Sequence, residues 1–215
     1  ADFTVDVENG CAPLTVTFSE ASAQADDLTW DHGDGLTTPG IAGDAHIHEF
    51  TAEDNDVTTH AVTLTAVAAG GCMDSKTLYG EGYPEVLAQP VGVLESCSPW
   101  QSNLVAAGYE NDNVHTITWT LDGTDEFQGP NLTQTIAGYD DVNREIDVKL
   151  AIESAYGCAA ETTLTATIFR TPVAAFNLSD MAACAGTEIQ FTDLSQFADS
   201  ITMDWGDGSG VTTNL

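Results

Sequence analysis

Four histidines in the N-terminal third of the chain could hold a metal ion. His46 and His48 alternate along one predicted strand and so project on the same face, and His32 and His60 lie on either side of them in the sequence. Neutral imidazole is a common zinc ligand, and structural zinc sites take four ligands. Zinc binding is therefore one hypothesis for these residues.

A second kind of chemistry is suggested by residues 30–35, Trp-Asp-His-Gly-Asp-Gly. Asp31 and Asp34 could chelate calcium, which takes six to eight oxygen ligands, but they do not have the spacing of an EF-hand loop. Alternatively, both carboxylates accept backbone N–H groups across a turn in which glycines adopt positive φ. We predict turn capping and no bound cofactor, with calcium at Asp31 and Asp34 as the alternative.

The common catalytic motifs are missing from the sequence. It contains no nucleophile elbow, no HExxH, no P-loop and no glycine-rich dinucleotide turn. We therefore predict that the segment is not an enzyme.

The Trp-Asp-His-Gly-Asp-Gly segment belongs to a repeat, because residues 203–208 read Met-Asp-Trp-Gly-Asp-Gly. A cysteine precedes each copy by 19 positions, Cys11 in the first and Cys184 in the last. A weaker middle copy at Trp119 follows Cys97 by 22 positions. The three cysteines recur at intervals of 86 and 87 residues, which is the length of one small β-sandwich.

The elements that position these residues are predicted to be short strands. Apolar and polar residues alternate with period two in residues 3–7, 14–18 and 60–67, between turns rich in glycine and asparagine. About seven strands are expected in the first repeat, with residues 37–43 as a polar loop, and no helical period occurs. Residues 80–84 are predicted to be a short linker that keeps successive repeats in an extended, semi-rigid rod.

Three segments of the first repeat resemble the PKD (polycystic kidney disease) domain. Residues 11–18 are similar to its "APLTVxF" strand, residues 30–35 to its "WDFGDG" strand and turn, and residues 48–50 to its "HxY" strand. Residues 184–191 and 203–208 repeat the first two segments. The middle repeat keeps only the tryptophan and a following Asp-Gly, so it resembles a diverged PKD or immunoglobulin-like domain.

The resemblance implies an all-β fold of tandem immunoglobulin-like (PKD-type) β-sandwiches in an extended array. Its domains are residues 1–82, residues 83–171 and residues 172–215, the last being the truncated N-terminal half of a third domain. It also places His32 and His48 where a ring packs beside the tryptophan, which favours packing over zinc binding. The core-motif residues implied are Trp30, Gly33, Asp34, Gly35, His48, Trp119, Trp205, Gly206, Asp207 and Gly208.

The five cysteines follow the repeat as well. Cys11 and Cys72 are 61 positions apart, and so are Cys97 and Cys158. This spacing predicts one disulfide within each complete domain and leaves Cys184 free. No C-x-x-C pair supports the alternative of metal thiolates. Because disulfides persist outside the reducing cytosol, we expect an extracellular protein, secreted or on a cell surface.

The charge of the chain is extreme. It has 34 Asp and Glu against four Lys and Arg, a formal net charge of −30. Such a surface repels phosphate backbones and anionic lipid, so we predict no nucleic-acid partner. Acidic, lysine-poor surfaces suit salty water, where ions screen self-repulsion; dedicated divalent-cation sites are the alternative. No apolar stretch of 18 residues occurs, so no membrane span is predicted.

Two functions fit these observations. The cysteine-containing repeats are similar to those of very large Bacteroidota surface proteins exported by type IX secretion, including gliding-motility adhesins. That resemblance implies a non-enzymatic stalk or adhesion module on a bacterial surface. Its partners would be surface polysaccharide, protein or substratum reached through the parent chain, and secretion or motility machinery. The alternative is an accessory spacer or binding module of a secreted protease or polysaccharide hydrolase.

Overall fold

The computed structural model describes residues 1–51, 56–109, 114–139 and 141–214. Within these ranges the regular elements are β-strands, and no helix long and apolar enough to cross a membrane is present.

The first repeat is a sandwich of a five-stranded and a three-stranded sheet. The five-stranded sheet has the order β2-β8-β7-β4-β5 and the three-stranded sheet the order β1-β3-β6. All neighbouring strands are antiparallel except β2 and β8, which are parallel. The strands are β1 (Phe3–Val5), β2 (Asn9–Cys11), β3 (Leu14–Glu20), β4 (Asp27–Asp31), β5 (Thr37–Gly40), β6 (Ala45–Phe50), β7 (Thr58–Val67) and β8 (Met73–Tyr83).

The second repeat has a five-stranded sheet of the same form, in the order β10-β18-β17-β13-β14, in which β10 is parallel to β18. Its other side is a three-stranded sheet, β15-β12-β9, and a two-stranded sheet, β11-β16. The strands are β9 (Gln89–Val91), β10 (Glu95–Cys97), β11 (Trp100–Gln101), β12 (Leu104–Ala107), β13 (Val114–Leu121), β14 (Asp125–Gln128), β15 (Asn131–Leu132), β16 (Thr135–Ile136), β17 (Arg144–Ser154) and β18 (Ala159–Phe169).

The C-terminal residues form two separate antiparallel ribbons. One pairs β19 (Phe176–Leu178) with β20 (Phe191–Asp193), and the other pairs β21 (Ile201–Asp204) with β22 (Val211–Asn214). Two-stranded ribbons cannot enclose a core, and Phe176 and Trp205 are accordingly exposed.

Each complete repeat has its own hydrophobic core between its sheets. The alternation predicted for residues 60–67 appears in β7, where every second side chain is buried. In the first repeat Trp30 packs edge-on against Phe3, with ring centroids 4.9 Å apart, and both side chains are fully buried. In the second, Trp119 lies in a cluster with Leu150 and Ile168. The predicted class, tandem immunoglobulin-like β-sandwiches, is confirmed by these sheets.

Two local predictions were wrong. Residues 37–43 were expected to be a loop, but β5 occupies part of them. Its Pro39 is tolerated because β5 is the edge strand of the sheet, where no neighbouring strand needs the missing N–H. Residues 80–84 were expected to be a linker, but β8 continues to Tyr83. The glycines there serve a close approach: a Cβ on Gly80 would lie 2.8 Å from the carbonyl oxygen of Glu8.

Candidate functional site: the repeat junction and the histidine turn

The disulfide of this protein joins the two complete repeats. Cys11 bonds to Cys158, with Cα atoms 5.6 Å apart and 147 positions between them in sequence, whereas Cys72, Cys97 and Cys184 are free and exposed. The predicted pairs Cys11–Cys72 and Cys97–Cys158 are therefore wrong. Cys184 is free, as expected from the sequence.

The length of the strands explains why neither predicted pair forms. Cys11 lies beside Tyr83 at the end of β8, and Cys72 immediately precedes the start of β8, which is 11 residues long. At about 3.3 Å per residue the two cysteines lie at opposite ends of the sandwich, roughly 30 Å or more apart, while a disulfide needs Cα atoms within about 7 Å. The same separation applies to Cys97 and Cys158 along β18, which also has 11 residues.

Aromatic and polar contacts surround the disulfide at this junction. The rings of Tyr83 and Tyr156 stack across it with centroids 4.9 Å apart. The carbonyl of Tyr83 accepts the N–H of Ala12 at 2.9 Å, which fixes Cys11 against the end of β8. On the other side Cys158 is buried, and its N–H donates to Ser154 Oγ at 3.1 Å. The disulfide and the tyrosine stack thereby hold the end of the first repeat where β8 finishes against the end of the second repeat that carries the turn between β17 and β18.

The histidines form a stack beside the core tryptophan. His46 lies over Trp30 at 5.4 Å between ring centroids, His32 lies over His46 at 5.0 Å, and His48 lies over His32 at 3.8 Å, all nearly parallel. The Nε2 atoms of His32 and His46 are 3.3 Å apart, and both lie within hydrogen-bond distance of Thr38 Oγ1. Parallel rings direct their lone pairs side by side rather than toward one point, a poor arrangement for a shared metal ion.

The fourth histidine of the zinc hypothesis, His60, is placed elsewhere in the first repeat. It lies on β7, is buried, and contacts Phe50 with ring centroids 4.3 Å apart. Within the described ranges no group of three or more His, Cys, Asp or Glu side chains is placed to bind a metal ion.

Burial and crowding favour the neutral form of His32 and His46. Burial, followed by repulsion from protonated His48 and His46, lowers the pKa of His32 to about 4. Burial and His48 also lower the pKa of His46. Charging either ring would place a cation among stacked imidazoles in a largely dry site, which is why the neutral form is favoured.

Asp34 joins this stack to the turn after β4. Its Oδ2 lies 2.7 Å from His48 Nε2 on β6, and its Oδ1 accepts the N–H of Leu36 at 2.9 Å. Burial raises the pKa of Asp34, but the hydrogen bonds from His48 and Leu36 outweigh it and leave the pKa below its usual value. The link between His48 and Asp34 was not foreseen, although the Asp of the turn and the His of "HxY" were both singled out.

Both aspartates of the calcium alternative cap the turn. Asp31 Oδ1 accepts the N–H of Gly33 at 3.0 Å, as Asp34 does that of Leu36. The C-terminal copy makes the same two bonds, from Gly206 to Asp204 at 2.9 Å and from Ser209 to Asp207 at 2.8 Å. These carboxylates therefore have a structural use that needs no metal ion.

The remaining core-motif residues fall into two environments. Trp30 and Trp119 are buried, and the Trp119 indole N–H donates to the carbonyl of Gly129 at 3.1 Å. Trp205, the C-terminal equivalent, is 50% exposed and does not lie in a closed core. The four glycines of the two turns have positive φ, as the turn requires: Gly33, Gly35, Gly206 and Gly208.

Comparison with known proteins identifies no family for this chain. No family model matches the chain, and no curated protein does. Among solved structures the chain is similar to fibronectin(III)-like modules of Clostridium thermocellum CbhA, with 13% identity and a TM-score of 0.34, covering 79% of this chain and 94% of that one. A similarity this low gives no indication of function, and the fold assignment rests on the strand order described above.

Proposed function

We propose that this chain is a non-enzymatic stalk segment of a large bacterial surface or secreted adhesin, in which PKD-type sandwiches follow one another in line. Its role is to hold an adhesive region away from the cell and to transmit tension. Gliding motility and type IX export are the settings in which such repeats would serve. The partners would be a polysaccharide, a protein or a substratum contacted through the parent chain.

The observation that supports this proposal is the disulfide between repeats. A hinge between two sandwiches would let them swing freely, but Cys11–Cys158 and the Tyr83–Tyr156 stack hold the junction at two points. A covalent bond across the junction also suits a segment under load, because tension cannot separate the repeats without breaking it. Its presence fits an oxidising compartment outside the cytosol.

The alternative is an accessory module of a secreted hydrolase, which would bind that enzyme's polymer. Exposed aromatic side chains are suited to contacts with a polymer, and Tyr79 on β8 is 70% exposed. Sedimentation with insoluble cellulose, chitin and casein separates the two proposals. A stalk remains in the supernatant with all three, and retention on one of them supports the accessory module.

The role in transmitting tension is tested by stretching single molecules from their two ends. The disulfide keeps the 147 positions between Cys11 and Cys158 out of the extensible chain. At about 3.3–3.6 Å per residue, the fully unfolded molecule should lengthen by roughly 500 Å when the bond is reduced.

The double variant Cys11→Ser with Cys158→Ser should show the long extension without reductant, and the matched control Cys72→Ser should behave as the wild type. If the wild type already reaches full length when oxidised, the junction is not covalently closed and the stalk proposal loses its support.

A further inference from the structure

Two of the free cysteines lie at the outer ends of the two-repeat body. Cys72 is in the turn between β7 and β8, at the end of the first repeat opposite the junction. Cys97 is at the end of β10, at the end of the second repeat opposite the junction. Each is exposed, and each occupies a position that the other repeat uses for the Cys11–Cys158 bond.

The turn that holds Cys72 is equivalent to the turn that holds Cys158, 86 residues later in the chain. In the first repeat Ala68 N–H donates to the carbonyl of Cys72 at 2.9 Å, and Gly71 N–H donates to the carbonyl of Ala68 at 2.8 Å. In the second, Ser154 N–H donates to the carbonyl of Cys158 at 2.8 Å, and Gly157 N–H donates to that of Ser154 at 3.1 Å. The glycine has positive φ in both, 76° and 81°.

The strand that holds Cys97 likewise matches the strand that holds Cys11. Cys11 lies opposite Tyr83 in a parallel pair, and Cys97 lies opposite Phe169 in a parallel pair. The next residue closes the pair in both repeats: Ala12 N–H donates to the carbonyl of Tyr83 at 2.9 Å, and Ser98 N–H donates to that of Phe169 at 2.9 Å.

The two outer ends differ from the junction in what covers them. Cys158 is 3% exposed because the first repeat lies on it, whereas Cys72, in the equivalent turn of the first repeat, is exposed. Cys97 lines an open cleft with Phe169 and Arg170 of the second repeat and Phe176 and Phe197 of the C-terminal segment. The cleft is therefore at the place where the following repeat begins.

We infer that Cys97 and Cys72 are the two half-sites of a disulfide that recurs at every junction of the array. Cys97 bonds to the cysteine in the glycine-cysteine turn of the repeat that follows, as Cys11 does to Cys158. Cys72 bonds to the first cysteine of a repeat that precedes. Every repeat is then bonded to both neighbours, and none contains an internal disulfide.

The bond forms by ordinary thiol oxidation. Two Sγ–H groups lose two protons and two electrons, and a small-molecule disulfide such as oxidised glutathione accepts them and becomes two thiols. The attacking species is the thiolate, so exposure of Cys72 and Cys97 gives the oxidant access to both.

The test adds one repeat inside the full chain. A second copy of residues 84–169 is inserted directly after Phe169, so that the inserted Pro84 follows Phe169 as the original follows Tyr83. The variant is purified, equilibrated with oxidised and reduced glutathione, alkylated and mapped without reduction. We expect Cys97 of the original repeat to be joined to Cys158 of the inserted one, in a monomer that keeps Cys11–Cys158.

Thiol counting gives a second readout. The wild type has three free thiols. The insertion variant adds two cysteines and one disulfide, so it should again have three. The matched control is the same insertion with its own Cys158→Ser, which should fold alike and show one thiol more.

Two results would overturn the inference: an original Cys97 that stays reduced in a folded insertion variant, or an original Cys97 that is joined to a cysteine other than Cys158 of the inserted repeat. Folding is checked by a retained Cys11–Cys158 bond. A second insertion variant with Phe169→Tyr supplies, at the new junction, the tyrosine that stacks on Tyr156 at the existing one. The inference takes from the proposed stalk role only the assumption that further repeats continue the array. A reduced Cys97 would contradict the inference and leave the stalk proposal standing, because stretching and sedimentation test that proposal separately.

Discussion

At the scale of single residues, the tryptophan of the first repeat is the most consequential side chain. Trp30 is 1% exposed and touches Phe3, Phe18 and His46. Trp30→Ala should lower the free energy of unfolding by about 3–5 kcal/mol, through lost burial and the cavity left behind. Trp205→Ala removes the equivalent ring where it is 50% exposed, and should cost less than about 1 kcal/mol. Urea unfolding of both variants checks this, and equal costs would contradict it.

The histidine stack makes the first repeat sensitive to acid. The pKa of His32 falls from 6.5 to about 4 on folding, so between those values the unfolded chain binds more protons than the folded one. The contribution of His32 to the free energy of unfolding is therefore fully present above pH 6.5 and declines as the pH falls toward 4. The total loss is about 3 kcal/mol, at 1.36 kcal/mol per pKa unit. The lowered pKa of His46 acts in the same direction.

The His32→Phe variant tests this acid sensitivity directly. Phenylalanine cannot titrate and keeps a ring in the stack, so the loss of stability between pH 6.5 and 4 should shrink by about 3 kcal/mol. Urea midpoints at pH 7 and pH 4.5 provide the comparison. An unchanged difference between the two pH values would show that His32 does not titrate in this way.

At the scale of elements, the turn after β4 depends on one glycine far more than on its neighbour. Gly33 and Gly35 both have positive φ, 72° and 89°. A Cβ on Gly33 would lie 2.6 Å from the backbone nitrogen of Ala61 on β7, whereas a Cβ on Gly35 would meet nothing within 4 Å. The turn therefore sits directly on β7 at Gly33.

Gly35→Ala should cost about 1–2 kcal/mol, the price of a left-handed conformation for alanine. Gly33→Ala should cost about 1–3 kcal/mol more, because backbone atoms cannot rotate away as a side chain would. Thermal or urea unfolding of the pair measures the difference. Equal costs would mean that the turn moves off β7 without penalty.

The same elements show what a sequence can and cannot predict. Alternation predicted β3 and β7, and the turn motif predicted the capping by Asp31 and Asp34, because both are local properties. The disulfide was mispredicted because an interval of 61 positions recurs whether each cysteine pairs within its repeat or with the next one. Only the lengths of β8 and β18, which separate the two cysteines of each predicted pair, decide between these two pairings. The alternation of apolar and polar residues does not show where a strand ends.

At the scale of the whole molecule, the few cations are already engaged in internal contacts. Lys76 Nζ lies 2.6 Å from Asp2 Oδ1, Lys149 Nζ lies 2.6 Å from Glu161 Oε2, and Arg144 Nη2 lies 3.4 Å from Asp122 Oδ2. Arg170 donates to the carbonyl of Asp141 at 2.8 Å and lies over the Phe197 ring. The excess of carboxylates gives the chain a net charge of −30, and this self-repulsion favours expansion of the chain.

This surface makes stability depend on salt, and the form of that dependence separates a diffuse acidic shell from true calcium sites. The Debye length falls from about 10 Å at 0.1 M to about 3 Å at 1 M salt, so repulsion among the carboxylates should weaken smoothly and the melting temperature should rise with sodium chloride. Calcium at matched ionic strength should add little, because Asp31 and Asp34 already accept backbone N–H groups. A specific site would instead raise the melting temperature at micromolar to millimolar calcium by mass action.

Calorimetric titration measures binding directly, with Asp31→Asn and Asp34→Asn as variants. Stoichiometric heat that disappears in either variant would contradict the diffuse shell and make calcium a ligand of the turn.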